Sequence, residues 1–186
     1  PNVRFGLPTL NLLTNGGVAR KTLNLLVAPT SGGKSLALCH LTADYLRSGL
    51  NVVYVTLEMS QEMTGFRIAA NLLREPIDAL RGLSSTELQE KLFSIRPVLG
   101  DLQIAYFPAF SARANDLHLL VDQLRATGPN VDVLVVDYLN RCAPTVGKSA
   151  QMGSYQIAGH IATELHALAG QKNLIVWTAT QTNRDG

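Results

Sequence analysis

Residues 28–35 bring together a pair of glycines, a lysine and hydroxyl side chains in an order that suits the binding of phosphate groups. The segment reads Ala-Pro-Thr-Ser-Gly-Gly-Lys-Ser, and it lies between an apolar run and an amphipathic pattern. Glycines allow backbone N–H groups to turn toward phosphate oxygens, and the first turn of a following helix adds positive potential. The sequence therefore predicts a phosphate-binding loop (P-loop) made of Ala28, Pro29, Thr30, Ser31, Gly32, Gly33, Lys34 and Ser35.

Two side chains of this loop have specific expected roles. Lys34 is expected to reach the terminal phosphates of a nucleotide, and the Ser35 hydroxyl is expected to hold Mg²⁺. Ala28 stands where the usual pattern has its first glycine, but we expect a methyl group to fit there because this position ends a strand. The alternative is a glycine-rich turn without a ligand, and the coincidence of strand, Gly-Lys-Ser and helix argues against it.

Three other polar side chains each end an apolar run. Asp137 follows residues 133–136, Glu58 follows residues 55–57, and Gln181 follows the strand-like run that begins at Leu174. Open α/β sheets bind ligands at the carboxyl ends of their strands, where Asp137 fits a Walker B aspartate that holds Mg²⁺ or orients its water shell. Glu58 is a candidate to polarise an attacking water, with a solvated glutamate as the alternative. Gln181 is a candidate sensor of the γ-phosphate, with a simple turn glutamine as the alternative.

The elements that must position these groups alternate between short apolar runs and longer helical patterns, which is typical of an α/β fold. Strands are predicted at 22–28, 51–57, 102–107, 131–137 and 174–180, and helices at 34–48, 61–74, 85–95, 115–126 and 155–169. The runs at 133–136 and 174–177 are apolar on both faces, which indicates central parallel strands with helices on either side. Gly170 is predicted to end the last helix.

Composition narrows the class of protein. The chain has 186 residues, 46% hydrophobic and 16% charged, with a net charge of +2 and two cysteines. These values favour one globular domain over residues 1–186 and exclude disorder, binding of nucleic acid by bulk charge, and a disulfide scaffold. No apolar run reaches the length of about 18 residues that a membrane span needs, so we expect a cytoplasmic location and no membrane partner. Because the chain starts at Pro1 and stops just after a strand-like run, we expect it to be part of a longer protein.

These motifs together resemble the RecA-like ATPase domain of hexameric replicative DNA helicases, of the DnaB type and its T-even phage counterparts. The resemblance covers nearly the whole chain: residues 5–21 are similar to the family's lead-in, and 57–60, 136–139 and 181–184 to its later motifs. Residues 38–58 are particularly similar to the phage form. The resemblance implies a RecA-like P-loop core with a mostly parallel sheet and helices on both of its faces. It also implies that this core is truncated at its C-terminal end.

The resemblance also implies roles and partners. Lys34 and Ser35 would bind ATP and Mg²⁺, Glu58 would be the catalytic glutamate, Asp137 the Walker B aspartate, and Gln181 the sensor that couples nucleotide state to DNA. The family's later strands, which flank the P-loop strand, and its arginine finger would lie beyond this chain. Implied partners are single-stranded DNA, further copies in a hexameric ring, a primase and a helicase loader, in a bacterial cell or phage-infected host.

Residues 140–153 match the family's loop that faces DNA in the central channel. Arg141 and Lys148 are its cations, and we expect them to contact DNA phosphates; a solvated loop with incidental cations is the alternative. Repetition around a ring would multiply such contacts and their salt dependence. Tracking of the backbone without base recognition is expected, since no aromatic ladder is present.

The resulting hypothesis is an ATP-dependent helicase motor that moves along single-stranded DNA and unwinds duplexes. A RecA- or RadA-like recombinase or a clock-type ATPase shares the P-loop, glutamate and aspartate, but the runs at 58–60 and 181–184 favour the helicase. A nucleotide-binding assembly module without efficient turnover is the alternative from another class. A small-molecule kinase is disfavoured because nothing in the sequence resembles a lid or an acceptor pocket.

Overall fold

The computed structural model describes residues 2–145 and 153–182, and within these ranges five strands form one parallel sheet. The strands are β1 (Thr22–Ala28), β2 (Val52–Thr56), β3 (Leu102–Tyr106), β4 (Val133–Asp137) and β5 (Ile175–Gln181). Their order across the sheet is β1-β5-β4-β2-β3, and every neighbouring pair is parallel. All five carboxyl ends therefore lie along one edge of the sheet, where Ala28 pairs with Gln181 and Thr56 with Asp137.

Helices cover both faces of this sheet, as the sequence predicts. They are α1 (Pro8–Leu13), α2 (Lys34–Arg47), α3 (Gln61–Leu73), α4 (Ile77–Arg81), α5 (Ser85–Ile95), α6 (Ala114–Thr127) and α7 (Ser154–Lys172), with 3₁₀ turns at Arg96–Val98 and Leu139–Arg141. Two of them begin with side-chain caps: Ser60 accepts the Met63 N–H at α3, and Ser84 and Glu87 form a reciprocal capping box at α5.

The core consists of two layers that use alternate residues of the same strands. On β4, Leu134 and Val136 pack toward α6 and α7, whereas Val133 and Val135 pack toward α2 and α3. Every residue of β2 and β4 is buried, and burial of one such Val or Leu side chain stabilises the fold by roughly 1.5 to 3 kcal/mol. These central strands are therefore fixed from both sides, and so are the polar residues at their ends.

The structure departs from the predicted elements in three places. Gly170 does not end the last helix, because α7 continues to Lys172 and Asn173 takes the left-handed conformation (φ 55°) that closes it. Two short helices were not predicted: α1, which begins at Pro8, and α4, which follows Pro76. A proline at a helix start fixes a favourable φ, but it also resembles a turn signal in the sequence.

β1 lies at one side of the sheet, and within the described residues no strand pairs with its outer edge. Two of its apolar side chains are largely exposed, Leu25 at 43% and Val27 at 57%. The strand that leads into the P-loop is thus covered less well than its neighbours. None of the described helices combines the length and the apolar character that crossing a membrane requires.

Candidate nucleotide-binding site

The P-loop turns back at the carboxyl edge of the sheet, between the end of β1 at Ala28 and the start of α2 at Lys34. Gly33 has a φ of 76°, a conformation that favours glycine. Gly32 is required for a different reason: a Cβ there would lie 2.9 Å from the Ala28 Cβ and 2.9 Å from the Pro29 carbonyl oxygen. Ala28 therefore fits at the strand end because Gly32 has no side chain.

The Lys34 ammonium group lies across the mouth of this loop. Its Nζ donates to the Ala28 carbonyl at 3.1 Å and to the Pro29 carbonyl at 2.8 Å. An ammonium group has three N–H donors, so these two bonds leave one donor for a further acceptor. The loop itself thus holds the cation at the place where the terminal phosphates of a nucleotide are expected.

Ser35 and Asp137 meet behind the P-loop. The Ser35 hydroxyl donates to Asp137 Oδ1 at 3.1 Å, and Asp137 is only 2% exposed. Burial raises the pKa of Asp137 above its ordinary value of 3.8, while hydrogen bonds from Tyr54 and from Ser35 act in the opposite direction. A carboxylate beside a hydroxyl provides the hard oxygen ligands that Mg²⁺ prefers, so these two residues fit the predicted metal site.

Tyr54 supports Asp137 from inside the sheet, a role that no local sequence pattern indicates. Its ring is fully buried in β2, and its hydroxyl donates to Asp137 Oδ2 at 2.7 Å. β2 and β4 are neighbours in the sheet, with Tyr54 opposite Val135, two residues before the aspartate. Both carboxylate oxygens therefore have a partner, which fixes the orientation of the carboxylate.

Glu58 follows the end of β2 and lies at the surface of the same site, with 54% of its side chain exposed. The turn that presents it is fixed by Thr56, whose hydroxyl donates to the Met59 carbonyl at 2.8 Å and accepts the Met59 N–H at 3.2 Å. The Leu57 N–H donates to the Asp137 carbonyl at 2.9 Å, which ties the turn to β4. The two predicted acidic residues are therefore held by adjacent strands.

Gln181 ends β5 directly beside the P-loop. It pairs with Ala28 in the register of the sheet, and its side-chain amide contacts the Thr30 hydroxyl. The preceding residue, Thr180, donates to Asn140 in the segment that follows β4. Gln181 thus connects the end of one central strand to the loop that is expected to hold the phosphates.

These groups surround one cavity of about 350 Å³, a size that suits a small ligand. Its lining residues are 30–36, Glu58, Arg67, Tyr138 and Gln181. Arg67 comes from α3 and was not predicted; among the described residues it forms no ion pair. A sequence signal did exist, since Arg67 lies in the second turn of the helix that follows Glu58, where a side chain can point back to the sheet edge.

Of the two residues predicted to contact DNA, Arg141 lies within the described residues. Arg141 ends the 3₁₀ turn after β4, and its guanidinium Nη2 lies 3.5 Å from Glu58 Oε1. Lys148 lies outside the described residues. The structure therefore brings all the predicted nucleotide-site residues to one edge of the sheet, with Arg141 beside them.

A parallel sheet with a P-loop, a buried aspartate and a glutamate at its carboxyl edge is typical of RecA-like P-loop ATPase domains. The family model described as "DnaB-like helicase C terminal domain" matches residues 2–186. The chain belongs to this family and is a replicative helicase-like ATPase domain of the DnaB type, as the sequence motifs predicted.

Individual relatives agree with this assignment. The chain is similar to a DnaB-like replicative helicase of Enterobacteria phage T4, with 37% identity over an alignment of 187 residues. The alignment covers 98% of this chain and 39% of the relative. Its fold is similar to a solved structure described as an ATPase domain (TM-score 0.79, 19% identity, all of this chain and 65% of the other). It is also similar to a DnaB-like replicative helicase whose structure was described with its interactions with primase (TM-score 0.78, 19% identity, all of this chain and 44% of the other). The chain thus spans less than two thirds of each relative.

Proposed function

We propose that this chain is the motor domain of a replicative DNA helicase, which couples ATP hydrolysis to movement along single-stranded DNA and to duplex unwinding. The observation that carries the proposal is the convergence of Lys34, Ser35, Asp137, Glu58 and Gln181 on one edge of the sheet. A turn of similar sequence without a ligand would not require a buried carboxylate beside its serine. In this proposal, residues 1–186 form one domain.

Binding of the triphosphate is assigned to the P-loop and its lysine. Backbone N–H groups of residues 30–34 surround the phosphates, and the Lys34 ammonium neutralises charge on the terminal ones. Ser35 and Asp137 would hold Mg²⁺, which would supply positive charge beside the phosphates. Arg67 adds a second cation to the same cavity.

Hydrolysis requires an oriented water, and Glu58 is the residue we assign to that task. Its carboxylate lies at the exposed side of the cavity, where it can accept a hydrogen bond from a water aligned with the γ-phosphate. Gln181 contacts Thr30 of the P-loop, so a change in phosphate occupancy is passed directly to the end of β5. Catalysis would be positional and electrostatic, with an arginine finger supplied from outside these residues.

Binding of single-stranded DNA is assigned to the segment that follows β4. Arg141 and Lys148 would contact backbone phosphates, and a hexameric ring would repeat these contacts in each subunit, so binding should weaken steeply as salt is raised. The similarity to a structure described with its primase interactions supports primase as a partner of the full-length protein, and a helicase loader is a further proposed partner. The proposed place of action is the cytoplasm of a bacterium or phage-infected host.

The test is the rate of ATP hydrolysis by the full-length protein with and without single-stranded DNA. We expect DNA to accelerate turnover, Lys34→Ala to abolish nucleotide binding, and Glu58→Gln to reduce kcat by about 10² to 10³ while ATP still binds. Circular dichroism of each variant is the control for folding. A protein that binds ATP but shows no DNA-dependent turnover would instead be a nucleotide-binding assembly module.

A further inference from the structure

Arg141 is held in place by two aromatic rings, Phe110 and Tyr138, which we call the aromatic seat. The guanidinium carbon lies 5.6 Å from the centroid of each ring. Its Nε donates to the Tyr138 hydroxyl at 3.1 Å, and the Phe110 N–H donates to the Arg141 carbonyl at 2.6 Å. Cation–π contacts and two hydrogen bonds thus fix both the backbone and the side chain of Arg141 beside the nucleotide cavity.

From this seat the arginine reaches the residue assigned to orient water. Nη2 of Arg141 lies 3.5 Å from Glu58 Oε1, and the two side chains are 34% and 54% exposed. The contact involves one nitrogen and one oxygen, and water reaches both partners. Such a pair is weak, but it still opposes the negative charge of Glu58 and draws one carboxylate oxygen toward the aromatic seat.

We propose that Arg141 is a positioning residue that restrains Glu58, and that a phosphate of single-stranded DNA releases Glu58 by binding the guanidinium. This rests on the proposed function, and it identifies how DNA would regulate the same site. Arg141 lies near the start of the segment assigned to DNA, and the planar guanidinium group matches the geometry of phosphate oxygens. Because the contact with Glu58 is single and half exposed, a phosphate can compete for the same cation.

The consequence is a direct link between DNA occupancy and hydrolysis. Without DNA, the Arg141 guanidinium partly offsets the negative charge of the Glu58 carboxylate, so Glu58 orients water less well. When a DNA phosphate takes the guanidinium, Glu58 recovers its full charge and both of its oxygens. Arg141 follows Asp137 closely in the chain, within the turn that ends β4, so this link needs no movement of the sheet itself.

The test is Arg141→Ala in the full-length protein, assayed for ATP hydrolysis without DNA and with an oligothymidylate. We expect kcat without DNA to rise about fivefold, the rate equivalent of roughly 1 kcal/mol for an exposed ion pair, with the KM for ATP unchanged. The acceleration by DNA should fall by the same factor. Arg141→Lys keeps the charge but loses the planar stacking, so its rate should lie between those of wild type and Arg141→Ala.

Two controls separate restraint from a general effect of mutation. Arg81→Ala removes an arginine from another exposed pair, with Asp78 at 3.4 Å on α4, and should leave all rates unchanged. In a Glu58→Gln background, Arg141→Ala should no longer raise the rate without DNA. If Arg141→Ala does not fold, Phe110→Leu loosens the aromatic seat and should shift the rate without DNA in the same direction.

An unchanged or lower rate without DNA in Arg141→Ala overturns the restraint. Weaker DNA binding alone, without that rise, makes Arg141 a DNA contact and also overturns it. Failure of the proposed function has a different signature: the wild-type rate would not respond to DNA, or Lys34→Ala would hydrolyse ATP as well as wild type.

Discussion

Both edges of the sheet carry polar side chains, but the two edges use them differently. At the amino edge, Asp132 accepts from Arg20 at 2.6 Å and from the Asn51 N–H at 3.1 Å. The Asn51 side chain in turn accepts the Asp101 N–H at 2.9 Å and donates to the Asn130 carbonyl at 2.8 Å. These bonds tie together the segments that precede β2, β3 and β4, so the polar groups act as structural connections.

At the carboxyl edge, polar groups also contact one another, but several charged groups line a cavity as well. Within the part of the chain that the structure describes, Lys34 retains one donor, Arg67 forms no ion pair, and Glu58 has one weak contact. A cavity of about 300 Å³ also exists at the amino edge, nearly as large as that at the P-loop. Cavity size therefore does not distinguish the two edges, whereas unused bonding capacity of charged groups does.

The comparison predicts that removing a polar group at the amino edge costs stability and leaves the chemistry intact. Asp132→Ala leaves Arg20 and the Asn51 N–H without their acceptor, and we expect the free energy of unfolding to fall by roughly 2 to 3 kcal/mol. Denaturant unfolding measures this loss, and a fluorescent ATP analogue should bind the folded variant as it binds wild type. Asp122→Ala removes a more exposed partner of Lys172 and should cost much less. Loss of nucleotide affinity in Asp132→Ala would contradict the division between the edges.

Removal of the buried Tyr54 hydroxyl at the carboxyl edge should instead change ligand binding. Tyr54→Phe leaves Asp137 Oδ2 without its donor, so we expect the affinity for Mg²⁺ in the presence of ATP to fall about tenfold, or roughly 1.4 kcal/mol. Titration calorimetry measures this change. Tyr45→Phe is a matched control, because the Tyr45 hydroxyl is equally buried but accepts from Trp177 Nε1 at 2.9 Å. Equal Mg²⁺ affinities in the two variants would remove Tyr54 from the metal site.

The smallest expected effect comes from a polar contact that belongs to neither edge. Hydrogen bonds from Ser84 hold the pKa of Glu87 below its ordinary value of 4.5. The charged form is thus favoured in the folded chain, so its contribution to stability is present above pH 4.5 and is lost as pH falls through the lower folded pKa. Thermal unfolding of Glu87→Gln should show a slightly lower Tm than wild type at neutral pH and the same Tm in acid. A difference that persists in acid would assign the effect to packing.

The fold and the candidate site could be predicted from the sequence wherever a local pattern of residues determines the structure. The P-loop lies between a strand and a helix that are adjacent in the chain. Asp137 and Gln181 end apolar strands and Glu58 closely follows one, and each strand end can be located from its own residues. Once the strands are parallel, their carboxyl ends share one edge and these residues must meet. The prediction of Gly170 as a helix end failed because Asn173 can adopt the same left-handed conformation.

Residues that depend on long-range packing were not predictable. Tyr54 reaches Asp137 only because β4 inserts beside β2, and nothing in its own segment distinguishes it from a core tyrosine. The place of Arg67 in the second turn of α3 is a sequence signal, but its entry into the cavity also requires that α3 packs against α2. The contacts of Arg141 with Phe110 and Glu58 join three separate segments, so a spacing in the sequence cannot reveal them.

The outer edge of β1, which no strand of the described residues covers, has a mechanical consequence. A strand edge with unpaired N–H and C=O groups readily accepts another strand, whatever chain supplies it. Any such strand would lie directly alongside the segment that leads into the P-loop, opposite the side on which β5 carries Gln181. A pull or twist applied by that added strand would then be transmitted to the P-loop over a few residues of backbone.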